Sequence, residues 1–286
     1  MMVCRALVRR RNDSVGGNMR ILANWATRAA KPLVIVSLLM LSLVGAQTAS
    51  SATALGSPYS GTGYDTSYPQ CSATLAPAGF AIIGIGHGRP FTTNTCAGNE
   101  LTMANNAGDK SYSVYFNTGY ALAYAKSETT NCQSDSLGQY LSVSGHEQSV
   151  LQQAWAIGCS EVDYAVAAAT AAGLNAPVGW WADIESGNSW STNTTVNEAA
   201  VSGISSELTL TEGFAGVYSS ASMWNKIVGS SFHSGFTADW QAGLNKCPSS
   251  GNGFSLSSDG TTTPIWLAQY GSYSLGGATY DKDTAC

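Results

Sequence analysis

Val178-Gly-Trp-Trp-Ala-Asp-Ile184, followed at once by Glu185, is apolar and aromatic until it reaches two carboxylates. The run has the length of a buried strand. Alternation along a strand puts Trp181, Asp183 and Glu185 on one face and Ala182 and Ile184 on the other. The two acids then stand where strand gives way to loop, the edge at which parallel α/β folds build their sites.

Similar short runs recur on both sides. Phe80–Ile85, Ser113–Phe116, Phe214–Tyr218 and Pro264–Tyr270 read as strands. Helical stretches lie between them: the Ala-rich Val162–Ala172, stopped by Gly173, and Glu198–Leu208. Strand–helix alternation implies an α/β fold with a parallel sheet covered by helices. Periodicity alone leaves a closed barrel and an open doubly wound sheet equally available.

The first 54 residues read as an export leader. Leu33–Val44 is an apolar run of 12 residues preceded by Arg28 and Lys31 and followed by the small-residue triplets Val44-Gly-Ala46 and Ala52-Thr-Ala54. That is the layout of a cleaved signal peptide, with Met19 as an alternative start, and the run is short for a membrane span. Residues 55–62 read as a linker and 63–286 as one domain, with no internal repeat. The expected protein is secreted and monomeric, with no stable membrane insertion after cleavage.

Composition excludes several classes. The chain has 13 Lys and Arg against 18 Asp and Glu; seven of the bases and one acid fall in residues 1–54, leaving six against 17. So acidic a domain repels phosphate backbones, which excludes nucleic acid as a partner. Cys4 lies in the leader, and Cys71, Cys96, Cys132, Cys159, Cys247 and Cys286 remain. No two have the spacing of a zinc site, so no metal or other cofactor is expected. An even count behind a leader reads as three disulfides in an oxidising compartment. The sequence does not choose among pairings; Cys71–Cys96, Cys132–Cys159 and Cys247–Cys286, each joining neighbours, is the simplest set.

Gly84-Ile-Gly-His-Gly88 follows a strand, but Arg89 stands where a dinucleotide-binding turn needs glycine, and Pro90 breaks the helix that should follow. A turn carrying His87 and Arg89 to the edge of a site fits better. A Gly-x-Ser-x-Gly elbow and a zinc-protease helix are both absent, and His87, His146 and His233 are scattered. Asp183-x-Glu185 is therefore the chief chemical signal. Like charges held this close raise one pKa, and glycoside cleavage needs one protonated and one ionised carboxyl group. Solvated loop acids or a calcium loop are the plainer readings of the same residues. Asp65, in Gly63-Tyr-Asp-Thr-Ser-Tyr-Pro-Gln70, ends a first short strand, while Asp281 and Asp283 follow the last. Only a closed barrel makes those strands neighbours, and closure would gather Asp65, Asp183, Glu185 and Asp281 at one mouth. Trp181, Trp190, Tyr218 and Tyr270 offer flat faces of the kind on which sugar rings stack.

These motifs carry a resemblance. Gly63-Tyr-Asp65-Thr-Ser67-x-x-Gln70, Asp183-x-Glu185, Gly216-Val-Tyr218, Trp240-Gln-Ala242, Gln269-Tyr270 and Asp281-x-Asp283 resemble, in order, those of the family 25 glycoside hydrolases, secreted lysozymes that cleave peptidoglycan. The Arg89-Pro-Phe91 turn and terminal Cys286 resemble more closely a group of exported, actinobacterial-type glycoside-hydrolase-like domains. The resemblance implies a single (β/α) TIM-type barrel, lysozyme family 25-like, acting on peptidoglycan or another polysaccharide. It implies Glu185 as proton donor, Asp183 as stabiliser of positive charge or orienter of an N-acetyl group, and Asp65 as their support. Asp281, Trp181, Tyr218, Gln269 and Arg89 would bind substrate, and the Cys247–Cys286 bridge would span the final strand–loop unit. Cys71 after Gln70, Asp239 before Trp240 and Asp283 in place of Asn depart from the family pattern. A non-catalytic glycan-binding module on the same barrel is the alternative function.

Overall fold

The structure is a computed structural model that describes residues 56–109 and 111–286. The expected leader lies outside the described residues. Among the described residues there are nine strands: β1 (Thr62–Thr66), β2 (Phe80–Gly84), β3 (Tyr112–Asn117), β4 (Trp180–Asp183), β5 (Gly216–Ser219), β6 (Ala238–Ala242), β7 (Asn252–Leu256), β8 (Thr262–Leu275) and β9 (Ala278–Ala285). Strands β1 to β6 pair in sequence order, all parallel. β6 then pairs in parallel with β8, and β9 runs antiparallel between β8 and β1. Eight strands thus close into a barrel, and β7 is a short antiparallel addition outside it.

The closed barrel resolves the ambiguity that periodicity left. It is not a regular alternation of strand and helix, however. A 3-10 turn (Tyr68–Gln70) stands where a helix would follow β1, no helix follows β6, and β8 and β9 form a hairpin. The other connections carry α1 (Ala97–Ala107), α2 (Thr130–Ser136) with α3 (Gly145–Ala171), α4 (Thr194–Glu212) and α5 (Ala221–Ile227). Helix α3 begins 17 residues before the Ala-rich stretch that announces it. Gly145 and Gly158 weaken that half by propensity, and packing against α4 restores it. A Cβ at Gly158 would fall on the Ala200 carbonyl oxygen, and one at Gly203 on that of Trp155, so the two helices meet backbone to backbone. Asn193 caps α4 by accepting the Thr195 N–H at 3.1 Å, and Ser220 caps α5 through Met223 at 3.2 Å.

Two apolar layers follow from strand alternation. Ile83, Val114, Phe116, Trp180, Ala182, Ile184 and Val217 point outward to the helices. Phe80, Ile82, Trp181, Ala238, Trp240 and Leu267 fill the barrel, and Tyr59 packs with them. The segment expected to be a linker therefore does structural work. Tyr59 is buried, accepts the Trp181 Nε1–H at 2.9 Å and lies 2.5 Å from Ser113 Oγ. Asp239 takes the opposite side of β6 from Trp240. It is fully buried and accepts from Phe254 N at 2.6 Å, Ser255 N at 3.0 Å and Ser255 Oγ at 2.6 Å, which ties β7 to the barrel.

Disulfides join Cys71–Cys96, Cys132–Cys159 and Cys247–Cys286, with Cα–Cα separations of 5.2, 5.7 and 5.5 Å. The first ties the turn after β1 to the start of α1, the second pins α2 to α3, and the third holds the loop after β6 to the end of β9. Cys132 and Cys159 lie near Glu207, but bonded sulfurs are not thiolate ligands. Among the described residues no helix is long and apolar enough to cross a membrane.

Candidate active site

The barrel's C-terminal mouth is set by the residues that end its parallel strands. Asp65 stands one residue before the end of β1, Asn117 ends β3, Asp183 ends β4 and Tyr218 stands near the end of β5. Gln269, on β8, completes a chain of contacts across the mouth. Tyr218 donates to Gln269 Oε1 at 2.7 Å, and Gln269 Nε2 donates to Asp65 Oδ2 at 2.9 Å. Three strands that are distant in sequence thereby fix one carboxylate.

Asp183 is held more tightly. Its side chain is buried and Oδ2 accepts from Asn117 Nδ2 at 2.5 Å, while Oδ1 has no partner among the described residues. Its backbone oxygen accepts from Thr118 Oγ1 at 2.7 Å and Asn188 Nδ2 at 3.1 Å. Glu185 lies two residues on, outside the strand. The loop places it: Trp190 Nε1 donates to the Glu185 backbone oxygen at 2.9 Å, and Ser219 Oγ donates to that of Ile184 at 2.7 Å. Its carboxyl group is half-buried.

The acids share one field. Burial pushes Asp65 up to about 7; its Gln269 bond opposes this, and the charges of Asp281 and Glu185 reinforce it. Burial raises Asp183 well above the carboxylate range, with the Glu185 charge next, against the Asn117 bond. Burial also raises Glu185, with help from the Asp281 charge. Asp281 pairs in register with Asp65 across β1 and β9, yet is exposed. Asp283, opposite Gly63, is fully buried, accepts from Trp240 Nε1 at 2.7 Å, and is raised by burial and then by the Asp65 charge. The structure therefore brings Asp65, Asp183, Glu185 and Asp281 together with Tyr218 and Gln269.

Trp181 is a correction. Its ring is fully buried below Asp183, bonded to Tyr59 and packed edge-on against Trp240 and Phe214, so it has no face to offer a sugar. Strand parity gives the side on which a residue lies but not its depth. Arg89 is exposed on the loop after β2, beside the mouth. His87, on the same loop, stacks on Tyr68 at 3.8 Å between ring centroids. Sequence reading missed Asn117. Its signal was available, since Tyr112-Ser-Val-Tyr-Phe-Asn117 ends in a polar residue just as β4 does.

No family model matches the chain, and no curated protein matches it in sequence. Solved structures are similar to it at low identity. One is the catalytic domain of an endolysin from a bacteriophage of Listeria monocytogenes, with 15% identity over 81% of this chain and 95% of that one, at a TM-score of 0.45. A muramidase from Acremonium alcalophilum shares 15% identity over 79% and 93% of the two chains, at a TM-score of 0.44. A glycosyl hydrolase 25 of Streptococcus pneumoniae shares 16% over 79% and 87%, also at 0.44.

Proposed function

We propose that the domain is an exported, monomeric glycoside hydrolase that cleaves cell-wall glycan as a muramidase does. The observation that carries the reading is the Asp183–Glu185 pair: two carboxyl groups at one strand end, both raised by burial, one buried and hydrogen-bonded and the other half-buried. Glu185, raised by burial and by the Asp281 charge, is the group placed to give a proton to the leaving-group oxygen as the glycosidic bond breaks. Asp183, aligned by Asn117 and itself raised by burial, has a free oxygen with which to orient a neighbouring N-acetyl group or, once ionised, to stabilise the positive charge that develops at the reacting carbon. Asp65 and Asp281 surround the pair and raise its proton affinity. The motif resemblance supplies the substrate class, and the three disulfides are in keeping with a place outside the cell.

Glu185→Gln tests the reading. It keeps the shape but has no proton to transfer, so hydrolysis of peptidoglycan should fall by about 100- to 10,000-fold with binding of the glycan nearly intact. Undiminished hydrolysis would reject the assignment. Glycan binding by the wild type without any turnover would instead establish a binding module.

A further inference from the structure

Arg89 is the only arginine after residue 28, in a domain with few other cations. It is exposed on the β2–α1 loop and lines a cavity of about 310 Å³ with Gly88, Tyr124, Asn188 and Ser189. Only its backbone oxygen is engaged, by Thr92 Oγ1 at 2.6 Å; among the described residues no side-chain bond holds the guanidinium. The cavity lies over the ends of β2, β3 and β4 and shares Asn188 with the site, since that residue's amide also holds the Asp183 backbone.

The walls are prebuilt. Thr92 Oγ1 accepts the His87 N–H at 2.9 Å, which closes the loop that presents Arg89. The Tyr120 N–H donates to the Ser189 backbone oxygen at 2.7 Å, and Tyr124 OH reaches Ser189 Oγ at 3.5 Å. Buried Glu161 lines a second, smaller cavity beside Arg89, where its carboxylate accepts the Gly119 N–H at 3.2 Å. A guanidinium without a side-chain partner in a polar pocket has the fork geometry to hold an oxyanion through two parallel hydrogen bonds. Water or a neutral hydroxyl does not need it.

We propose that this cavity is a subsite for an acidic sugar, in which Arg89 holds an oxyanion carried by the glycan (a carboxylate or a phosphate) while Asn188, Ser189 and Tyr124 bond its hydroxyls. The proposal rests on the glycan-cleaving reading, because it assigns a substrate class to the same mouth. It also makes a chemical demand. In a muramyl glycan the lactyl carboxylate is free only where no peptide is attached, so the preferred strands are those from which an amide-cleaving reaction has already removed the peptide.

The test uses the full exported chain and peptide-free muramyl strands, either with free carboxylates or with the same groups converted to primary amides. A third preparation, amidated and then phosphorylated on sugar hydroxyls, separates phosphate from carboxylate as the source of the anion. Affinity is read by titration and turnover by release of reducing ends. The wild type should bind an acidic form about 10- to 100-fold more tightly than the amide, with the margin shrinking in salt. Arg89→Gln should abolish the preference, and Arg89→Lys should restore part of it. Equal wild-type affinity for the acidic and amidated forms, or a preference that survives Arg89→Gln, overturns the proposal. Turnover without acid preference refutes the subsite but not the hydrolase; acid-selective binding without turnover refutes the hydrolase but not the subsite.

Discussion

Asp65→Asn should stabilise the folded domain above neutral pH even as it removes a carboxylate from the site. Burial holds Asp65 up to about 7, against a value of 3.8 for an unperturbed aspartate. Between those values the folded chain binds more protons than the unfolded one, so stability is fully present below about 3.8 and is lost as pH rises through about 7. Roughly three pKa units at about 1.4 kcal/mol each set an upper figure of about 4 kcal/mol, less whatever water screens at a half-buried group. Asparagine keeps the shape and the acceptor for Gln269 Nε2 but does not ionise. Asp183 and Asp283 still titrate in the variant, so the informative quantity is the difference between two pH–stability curves. Urea denaturation at pH 4 and pH 8 with the disulfides intact measures it. The wild type should lose about 2–4 kcal/mol more than the variant between those pH values, and the variant should melt several degrees higher at pH 8. Parallel curves would refute the reasoning, because they would mean that Asp65 ionises as freely in the barrel as in the unfolded chain.

Two further substitutions separate the frame from the site. Gly203→Ala puts a methyl group against the Trp155 carbonyl oxygen in the α3–α4 contact and should cost about 1–3 kcal/mol in thermal or urea unfolding, with the pH profile of turnover unchanged. Asp239→Ala strands the N–H groups of Phe254 and Ser255 and the Ser255 hydroxyl. The loss should reach about 3–5 kcal/mol, since three buried donors lose their acceptor at about 1–3 kcal/mol each, and the activity of the remaining folded protein should be intact.

Much of the barrel was legible because a buried parallel strand is apolar on both faces and stands out in a chain with so few charges. Val178–Ile184 and Phe80–Ile85 announce themselves in this way. β9 does not. Ala278-Thr-Tyr-Asp-Lys-Asp-Thr-Ala285 reads as polar, since only Tyr280 and Asp283 are buried and one of these is an acid. The Gly276-Gly277 pair, with φ of 60° and 85°, was the available hairpin signal between β8 and β9. The carboxylates of the site were legible as residues but not as geometry. Alternation carries Asp183 to the barrel interior, yet β4 stops there, and Glu185 is positioned by loop bonds from Trp190 that no periodicity encodes. The same limit explains Trp181, whose parity was right and whose depth was not.

The arrangement of polar strand ends argues for function more strongly than any one residue. A barrel selected only to fold has no reason to gather acids where their mutual repulsion and burial work against the folded state. Here Asp65, Asp183, Glu185 and Asp283 are all raised by burial first and by a neighbouring carboxyl group after it. Asp239 gives the contrast within the same fold. Its carboxyl is buried and is also raised by burial, to about 6, but no neighbouring carboxyl group adds to that rise and three N–H and O–H donors converge on it, which is how a structural acid is satisfied. Asp183 keeps one buried oxygen without a partner. A pair of burial-raised acids, one with an unsatisfied oxygen, at the open end of a strand is the kind of local conflict that persists where chemistry requires it.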